Sequence, residues 1–166
     1  MDLDRDLDVD LGIDMRLEVV VVPVADVDRA NRFYRRLGFR SDLDYATGTD
    51  FRIVRWTPPG SQCSIVLGKG VTAAPAGSSQ GLQLAVPDVA AARRALVARG
   101  VDVGPLFEDV AGEWPSARAG GPRVGPGARR GTRASFASFS DPDGNGWLLH
   151  EVRRVPDLRW RVAATS

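Results

Sequence analysis

The 166-residue sequence predicts an α+β protein made of two tandem βαβββ modules. Together the modules are expected to form a curved eight-stranded mixed sheet with a concave cleft, and with the helices on its outer face. Three observations lead to this prediction. They are an ungapped internal repeat, a turn-and-strand segment present in both halves, and hydrophobic patterns that switch between strand and helix periods.

The internal repeat joins residues 19–39 to residues 81–101 at a constant offset of 62 (81 − 19). Each copy begins with an apolar strand and continues with an Asp of the type that caps helices, Asp26 and Asp88. About ten residues of helical pattern follow, and a Gly ends each helix. The repeat therefore predicts the same strand and helix at the start of both modules.

A second alignment joins residues 57–67 to residues 141–151 at an offset of 84 (141 − 57). The difference between the two offsets places an insertion of 22 residues (84 − 62) in the second module. Each module is then completed by three further strands. The expected strands cover residues 17–24, 40–46, 50–57 and 62–68 in the first module, and 80–86, 101–108, 133–140 and 146–153 in the second.

The chain is expected to be one domain, residues 15–155, with flanking segments of different composition. Residues 1–14 hold six Asp and one Arg, so we expect a disordered acidic extension. The insertion predicts a Gly/Pro/Arg-rich loop, which carries Trp114 and serves either as a lid over a ligand or as a solvated loop. The predicted boundaries are modules at about 15–70 and 79–155, a loop at 104–132 and a C-terminal tail at 156–166.

Composition excludes several classes of function. No apolar run approaches the roughly 20 residues that cross a bilayer, and the acidic N-terminus does not resemble a secretory signal. The single cysteine, Cys63, excludes an intrachain disulfide and fits a reducing cytoplasm. Five Arg, at positions 118, 123, 129, 130 and 133, cluster in one Gly-rich region without a nucleic-acid-binding motif. We therefore expect a cytoplasmic protein without a membrane or nucleic-acid partner.

Three segments in the right order, residues 23–39, 86–101 and 141–152, resemble the vicinal oxygen chelate superfamily. This superfamily includes glyoxalase I, bleomycin-resistance proteins, fosfomycin-resistance enzymes and extradiol dioxygenases. The resemblance covers about residues 15–155. It implies a small-molecule ligand or substrate in the cleft and a homodimer, but it does not choose among activities because one fold hosts many.

The resemblance also implies where a metal would bind. Metal-using members carry His, Gln or Glu seven residues before each capping Asp and three residues after the Asn of the DPDGN turn. By the resemblance and the repeat, these positions are Val19, Gly81, Leu148 and Ser64. None is a competent ligand for a divalent metal, although Ser64 would contribute weakly. We therefore predict no metal cofactor, and binding through other ligands stays open.

Strand alternation extends the predicted cleft from these positions to their neighbours of the same parity. Residues 50–57 form a strand whose cleft-facing side the sequence leaves open, so Arg52 and Trp56 stay candidates. His150 is a candidate acid/base or ligand contact because histidine titrates near neutrality. The candidate ligand-binding residues are Val19, Val21, Arg52, Trp56, Ser64, Gln83, Trp114 and Leu148.

Two classes of function fit these residues, and whether the protein is an enzyme stays open. The first is metal-independent binding of a small, largely apolar molecule, for which a mostly apolar cleft with few polar points is typical. The alternative is an enzyme. It is either a metal-free isomerase, cyclase or lyase that uses His150 as acid/base, or a metal-dependent glyoxalase-like lyase or dioxygenase with atypical ligands. A structural dimer without a ligand has no positive support in the sequence.

Overall fold

The structure, a computed structural model, describes residues 13–108 and 135–152, which form two four-stranded sheets and two helices. The elements in chain order are β1 (Val19–Val21), α1 (Val27–Arg36), β2 (Arg40–Thr47), β3 (Phe51–Thr57), β4 (Ser64–Lys69), β5 (Leu82–Val86), α2 (Val89–Ala98), β6 (Phe107–Glu108), β7 (Ser135–Ser140) and β8 (Gly146–Glu151). The N-terminal sheet has the order β1-β4-β3-β2, and the C-terminal sheet has the order β5-β8-β7-β6. In each sheet the first two strands of that order are parallel and the other neighbours are antiparallel.

Both helices begin and end where the repeat predicts. The side chains of Asp26 and Asp88 each accept a hydrogen bond from a backbone N–H in the first turn of α1 and α2. Such a cap satisfies a donor that the helix itself cannot pair. Gly38 and Gly100 follow the helices with φ of 82° and 77°, a conformation that glycine adopts without steric strain.

One hydrophobic core joins the two halves. It is formed by the inner faces of both sheets together with α1 and α2. Helix α1 contacts both sheets, because its Asn31 accepts a hydrogen bond from Trp56 of β3 at 3.0 Å and its Phe33 lies 6.3 Å from Phe139 of β7 between ring centroids. The buried core residues include Val22, Ala30, Phe33, Tyr34, Val54, Trp56, Leu67, Val89, Phe139, Trp147 and Leu149.

This arrangement differs from the predicted single eight-stranded sheet with helices on its outer face. Strand pairing over the described residues gives two separate sheets, and α1 lies between them. The reason is that the aromatic side chains of α1 cover the C-terminal sheet, an interaction that an apolar stripe in the sequence does not specify. Strand β6 covers only Phe107–Glu108, the last two residues of the strand predicted over 101–108, and it also lies inside the segment predicted as a loop from 104 to 132.

Several predictions lie outside the described residues. They concern most of the acidic extension, the greater part of the inserted loop with Trp114, and the tail from residue 156. Within residues 13–108 and 135–152, neither helix has the length and apolar character that a bilayer crossing requires.

A buried polar network attaches the DPDGN turn, residues 141–145, to the N-terminal half. Asp141 accepts hydrogen bonds from the Tyr34 hydroxyl at 2.9 Å and from the Asn145 side-chain amide at 2.7 Å. The same Asn145 amide donates to the backbone carbonyl of Pro23 at 2.8 Å, and its carbonyl oxygen accepts from the backbone N–H of Ser79. Burial and the neighbouring Asp141 carboxylate raise the pKa of Tyr34 well above its usual value, so its hydroxyl remains a donor.

We expect Tyr34→Phe to lower the free energy of unfolding by about 1.5–3 kcal/mol, since the buried Asp141 carboxylate loses one donor. Urea denaturation followed by circular dichroism measures this loss. Tyr45→Phe is the matched control, because Tyr45 is the chain's other tyrosine and is 53% exposed. A change below about 0.5 kcal/mol is expected there. Equal losses in the two variants would contradict the structural role of this hydrogen bond.

Candidate functional site

Each sheet has an outer face, defined here as the side turned away from the shared core. On the N-terminal sheet this face carries alternate residues of each strand, and the same holds for the C-terminal sheet. The N-terminal outer face includes Val19, Val21, Leu43, Tyr45, Ile53, Arg55, Thr57, Ser64 and Val66. The C-terminal outer face includes Gln83, Ala85, Phe107, Phe136, Ser138, Leu148 and His150.

The N-terminal outer face holds a chain of polar side chains, which we call the Ser64 relay (Asp42, Thr57, Ser64 and Arg55). Thr57 donates to the Asp42 carboxylate, so the 2.7 Å contact between Thr57 Oγ1 and Ser64 Oγ requires Ser64 to donate. Arg55 Nε donates in turn to Ser64 Oγ at 3.0 Å. Ser64 is only 2% exposed, and these partners fix the direction of its hydroxyl.

The relay lines a groove of about 690 Å³ that is open to solvent. At one end Arg40 lies 2.6 Å from Asp42, and this contact together with Thr57 holds the pKa of the Asp42 carboxyl below its usual value. At the other end Arg55 Nη1 lies 3.0 Å from the Glu18 carboxylate. The groove therefore combines fixed hydrogen-bonding groups with ion pairs at its rim.

The rest of the N-terminal outer face is apolar. Val66 pairs with both Arg55 and Val21 across neighbouring strands and is buried. Exposed apolar side chains continue the surface on either side: Val19, Val21, Leu43 and Tyr45. A polar relay within an apolar surface is typical of a pocket that orients a small molecule.

The C-terminal outer face is dominated by stacked rings. His150 stacks on Phe136 with ring centroids 4.8 Å apart, and Phe107 stacks on the same Phe136 at 5.6 Å. Next to them Leu148 is fully buried between Ser138 and Gln83 in the strand pairing. His150 is half-buried and its ring plane is fixed by this stacking.

The structure brings the candidate residues together in two groups rather than one. Val19, Val21 and Ser64 share the N-terminal outer face, whereas Gln83, Leu148 and His150 share the C-terminal outer face. Because both inner faces meet in one core, the two outer faces lie on opposite sides of the chain.

Arg52 and Trp56 belong to neither group, because they lie on the inner side of β3. Trp56 is 2% exposed and its indole N–H donates to Asn31 of α1 at 3.0 Å. Arg52 binds the carboxylates of Asp28 and Asp44. This resolves the face of β3 that the sequence left open: Phe51, Ile53 and Arg55 lie on the outer side, and Trp56 packs in the core.

Strand pairing corrects the sequence alignment between the last strands of the two modules, β4 and β8. Val21 pairs with Val66, whereas Gln83, the counterpart of Val21 in the repeat, pairs with Leu148. The structural counterpart of Leu148 is therefore Val66 and not Ser64. The turn before β4 covers residues 58–63, whereas the turn before β8 covers residues 141–145. Because the two turns differ in length, an alignment of the turns does not match equivalent residues of the strands that follow.

The residues at the implied metal positions do not fit a metal. Val19 and Leu148 are aliphatic, and Gly81 has no side chain. Ser64 has its proton and one lone pair committed within the relay. Val66, the corrected counterpart of Leu148, is equally without a donor atom, so the correction leaves this conclusion unchanged.

Sequence reasoning missed Asp42, Thr57 and Arg55. Thr57 and Ser64 flank the β3–β4 turn, so the closing pair of the hairpin predicts their contact and, by alternation, places Arg55 beside them. Asp42 has no comparable sequence pattern, because it lies where the β2–β3 register shifts between Ser41 and Leu43.

Comparison with known proteins gives a consistent set of relatives. Residues 16–149 match the family described as the Glyoxalase/Bleomycin resistance protein/Dioxygenase superfamily. Solved structures that resemble the chain include TnmS3, an antibiotic binding protein from Streptomyces sp. CB03234, with 31% identity over 83% of this chain and 96% of that one (TM-score 0.59). A superfamily member from Sphaerobacter thermophilus DSM 20745 is 28% identical over 84% of this chain and 98% of that one (TM-score 0.58). No curated protein sequence matches the chain.

The Asp42 carboxylate predicts a pH dependence of stability. Its pKa in the folded chain lies below the usual 3.8, so ionised Asp42 stabilises the fold above pH 3.8, and this contribution is lost as the pH falls through the lower folded value. We expect Asp42→Asn to be less stable than the wild type at pH 7, with the difference shrinking below pH 3.8. Urea midpoints between pH 7 and 2.5 measure it.

The control is Asp50→Asn, since the Asp50 side chain is 92% exposed and its ion pair within the described residues is with Lys69 at 3.3 Å. Its urea midpoint should follow the wild type across the whole pH range. A difference for Asp42→Asn that stays constant with pH would refute the ionic role of this carboxylate in the relay.

Proposed function

Because the chain belongs to the glyoxalase/bleomycin resistance protein/dioxygenase superfamily, we propose that it binds a small, largely apolar molecule without a metal. The observation that carries this proposal is the chemistry of the two outer faces. Where metal-using relatives carry ligands, this chain has aliphatic residues, a glycine and a serine committed to other partners. Apolar surface with a few oriented polar groups is suited to binding by shape and hydrogen bonding.

The description of one relative supports binding over catalysis. TnmS3 is described as an antibiotic binding protein, and the chain shares 31% of its residues over nearly the whole of that protein. A second protein of the same Streptomyces strain, a glyoxalase/bleomycin resistance protein, has the same identity over 100% of its length (TM-score 0.57). We extend ligand binding to this chain, and its ligand is defined only as small and largely apolar.

We also propose that the pocket is completed by a second copy of the chain. The two outer faces lie on opposite sides of one chain, so neither is covered by the other within the described residues. Exposed Val19, Val21, Leu43 and Tyr45 leave apolar area that a partner would bury. In a two-fold homodimer the N-terminal outer face of one chain meets the C-terminal outer face of its partner, which makes two equal pockets.

Metal content tests the proposed chemistry first. Protein purified without added metal or chelator should hold far less than one metal ion per chain. A ligand that binds the folded state raises the melting temperature. Since we expect no metal to bind, the melting temperature should stay unchanged on addition of Ni²⁺, Zn²⁺, Mn²⁺ or Fe²⁺. Elemental analysis and thermal shift measure the two quantities. One metal per chain, with stabilisation that grows with its concentration, would revive a metal-dependent enzyme.

The dimer has a separate test. Sedimentation equilibrium should give twice the 17.9 kDa of one chain, and Val21→Asp should give monomers, because it places a charge on the proposed interface. The control is Val97→Asp on α2, where Val97 is 46% exposed, more than the 38% of Val21. A Val21→Asp dimer as tight as the wild type would exclude this face from the interface.

A further inference from the structure

We infer that Arg55 is a specificity-determining residue that selects ligands carrying an anionic group, such as a carboxylate or sulfonate, on an apolar body. The inference rests on the proposed function, because it concerns the same pocket, and it adds the charge of the ligand. It is carried by the contacts of the guanidinium within the Ser64 relay and by the weakness of its single carboxylate partner.

The relay holds the guanidinium in one orientation. Ser64 donates its proton to Thr57, so its oxygen is free to accept from Arg55 Nε. Thr57 is in turn held by Asp42, whose other oxygen binds Arg40. Because each hydrogen bond of the Ser64 relay has a fixed direction, the Arg55 side chain loses little additional conformational freedom when it binds an anion.

The guanidinium retains unused donors. Nε binds Ser64 and one Nη1 hydrogen binds Glu18. Among residues 13–108 and 135–152, Nη2 has no hydrogen-bond partner. The five N–H donors of a guanidinium form a planar fork that suits two oxygen atoms of one anion, so Nη1 and Nη2 together offer a bidentate site.

Glu18 is a partner that a ligand can replace. Its side chain is 74% exposed and precedes β1, whereas the Arg55 side chain is 31% exposed. An ion pair of this kind contributes little because water screens it. The groove is lined by three arginines, Arg16, Arg40 and Arg55, and two carboxylates, Glu18 and Asp42. Arg16 also pairs with Asp14 at 3.0 Å, so the preference for an anion rests on the donors of Arg55 and not on an excess of positive charge.

The surroundings of Arg55 define the rest of the ligand. Val66 and Leu43 are its direct neighbours on the adjacent strands, and Val21 lies one strand beyond Val66. An anionic group on Nη1 and Nη2 would therefore place its attached carbon framework over aliphatic side chains. The cation lies at the border between the polar relay and the apolar surface, which favours amphipathic ligands over purely apolar ones.

Two dyes with the same ring system separate charge recognition from pocket binding. The anionic probe is 8-anilinonaphthalene-1-sulfonate, and the neutral probe is N-phenyl-1-naphthylamine, which lacks the sulfonate. Fluorescence titrations use the full chain as wild type, Arg55→Met, Glu18→Gln and Arg35→Met. Arg35 is an exposed arginine on α1, remote from the outer faces, and controls for loss of one positive charge. Circular dichroism and melting temperature establish that each variant is folded.

We expect Arg55→Met to lower the affinity for the anionic dye about tenfold or more, because the substitution removes charge-assisted hydrogen bonds. The affinity for the neutral dye should fall less than about twofold, because methionine keeps an apolar side chain. Glu18→Gln should raise the affinity for the anionic dye by up to about fivefold, because it removes the carboxylate that competes for Arg55. Arg35→Met should change the affinity for neither dye.

The outcomes distinguish the two proposals. Saturable binding of both dyes, with the anionic dye unaffected by Arg55→Met and by Glu18→Gln, would overturn the role of Arg55 and leave the pocket intact. Failure of both dyes to bind the wild type would overturn the pocket and the inference together. If Arg55→Met does not fold, Glu18→Gln decides alone, because its exposed side chain has no buried contact to lose.

Discussion

The relative placement of the two outer faces depends on the buried hydrogen bonds that join Asp141 and Asn145 of the C-terminal half to Tyr34 and Pro23 of the N-terminal half. Asn145 is fully buried, and its amide donates to both a carboxylate and a backbone carbonyl. Unpaired buried polar groups are costly, so the two halves have one favourable arrangement and not many. That arrangement sets the inner faces against each other and turns the outer faces apart.

This geometry separates residues that the sequence groups together. In a cleft enclosed by one chain, Ser64 and His150 would line the same space, whereas here they occupy different sheets on opposite sides. A pocket that uses both residues therefore requires two chains. The aliphatic side chains of Val19 and Leu148 extend the apolar surface that the proposed partner chain and ligand would bury together.

Local structure was predictable because its causes are local. The capping residues Asp26 and Asp88 fix the helix starts, and both were recognisable from the repeat. The packing of the halves was not predictable, because it depends on contacts between residues about a hundred positions apart, such as Tyr34 and Asp141. The relay was hidden for a related reason, since a shift in the β2–β3 register brings Asp42 to Thr57.

The two outer faces differ in a way that gives the proposed dimer pocket a polarity. One wall presents Arg55 beside valines, and the other presents the rings of Phe107, Phe136 and His150 in an unbroken stack. The stacked rings cover one another's faces and present their edges outward, so a planar ligand between the walls would meet this wall edge to face, while a charged edge reaches the guanidinium. In this arrangement His150 contributes the edge of its ring to the wall, because one face of the ring is covered by Phe136. Leu148, fully buried beside that ring, would form an aliphatic part of the same wall.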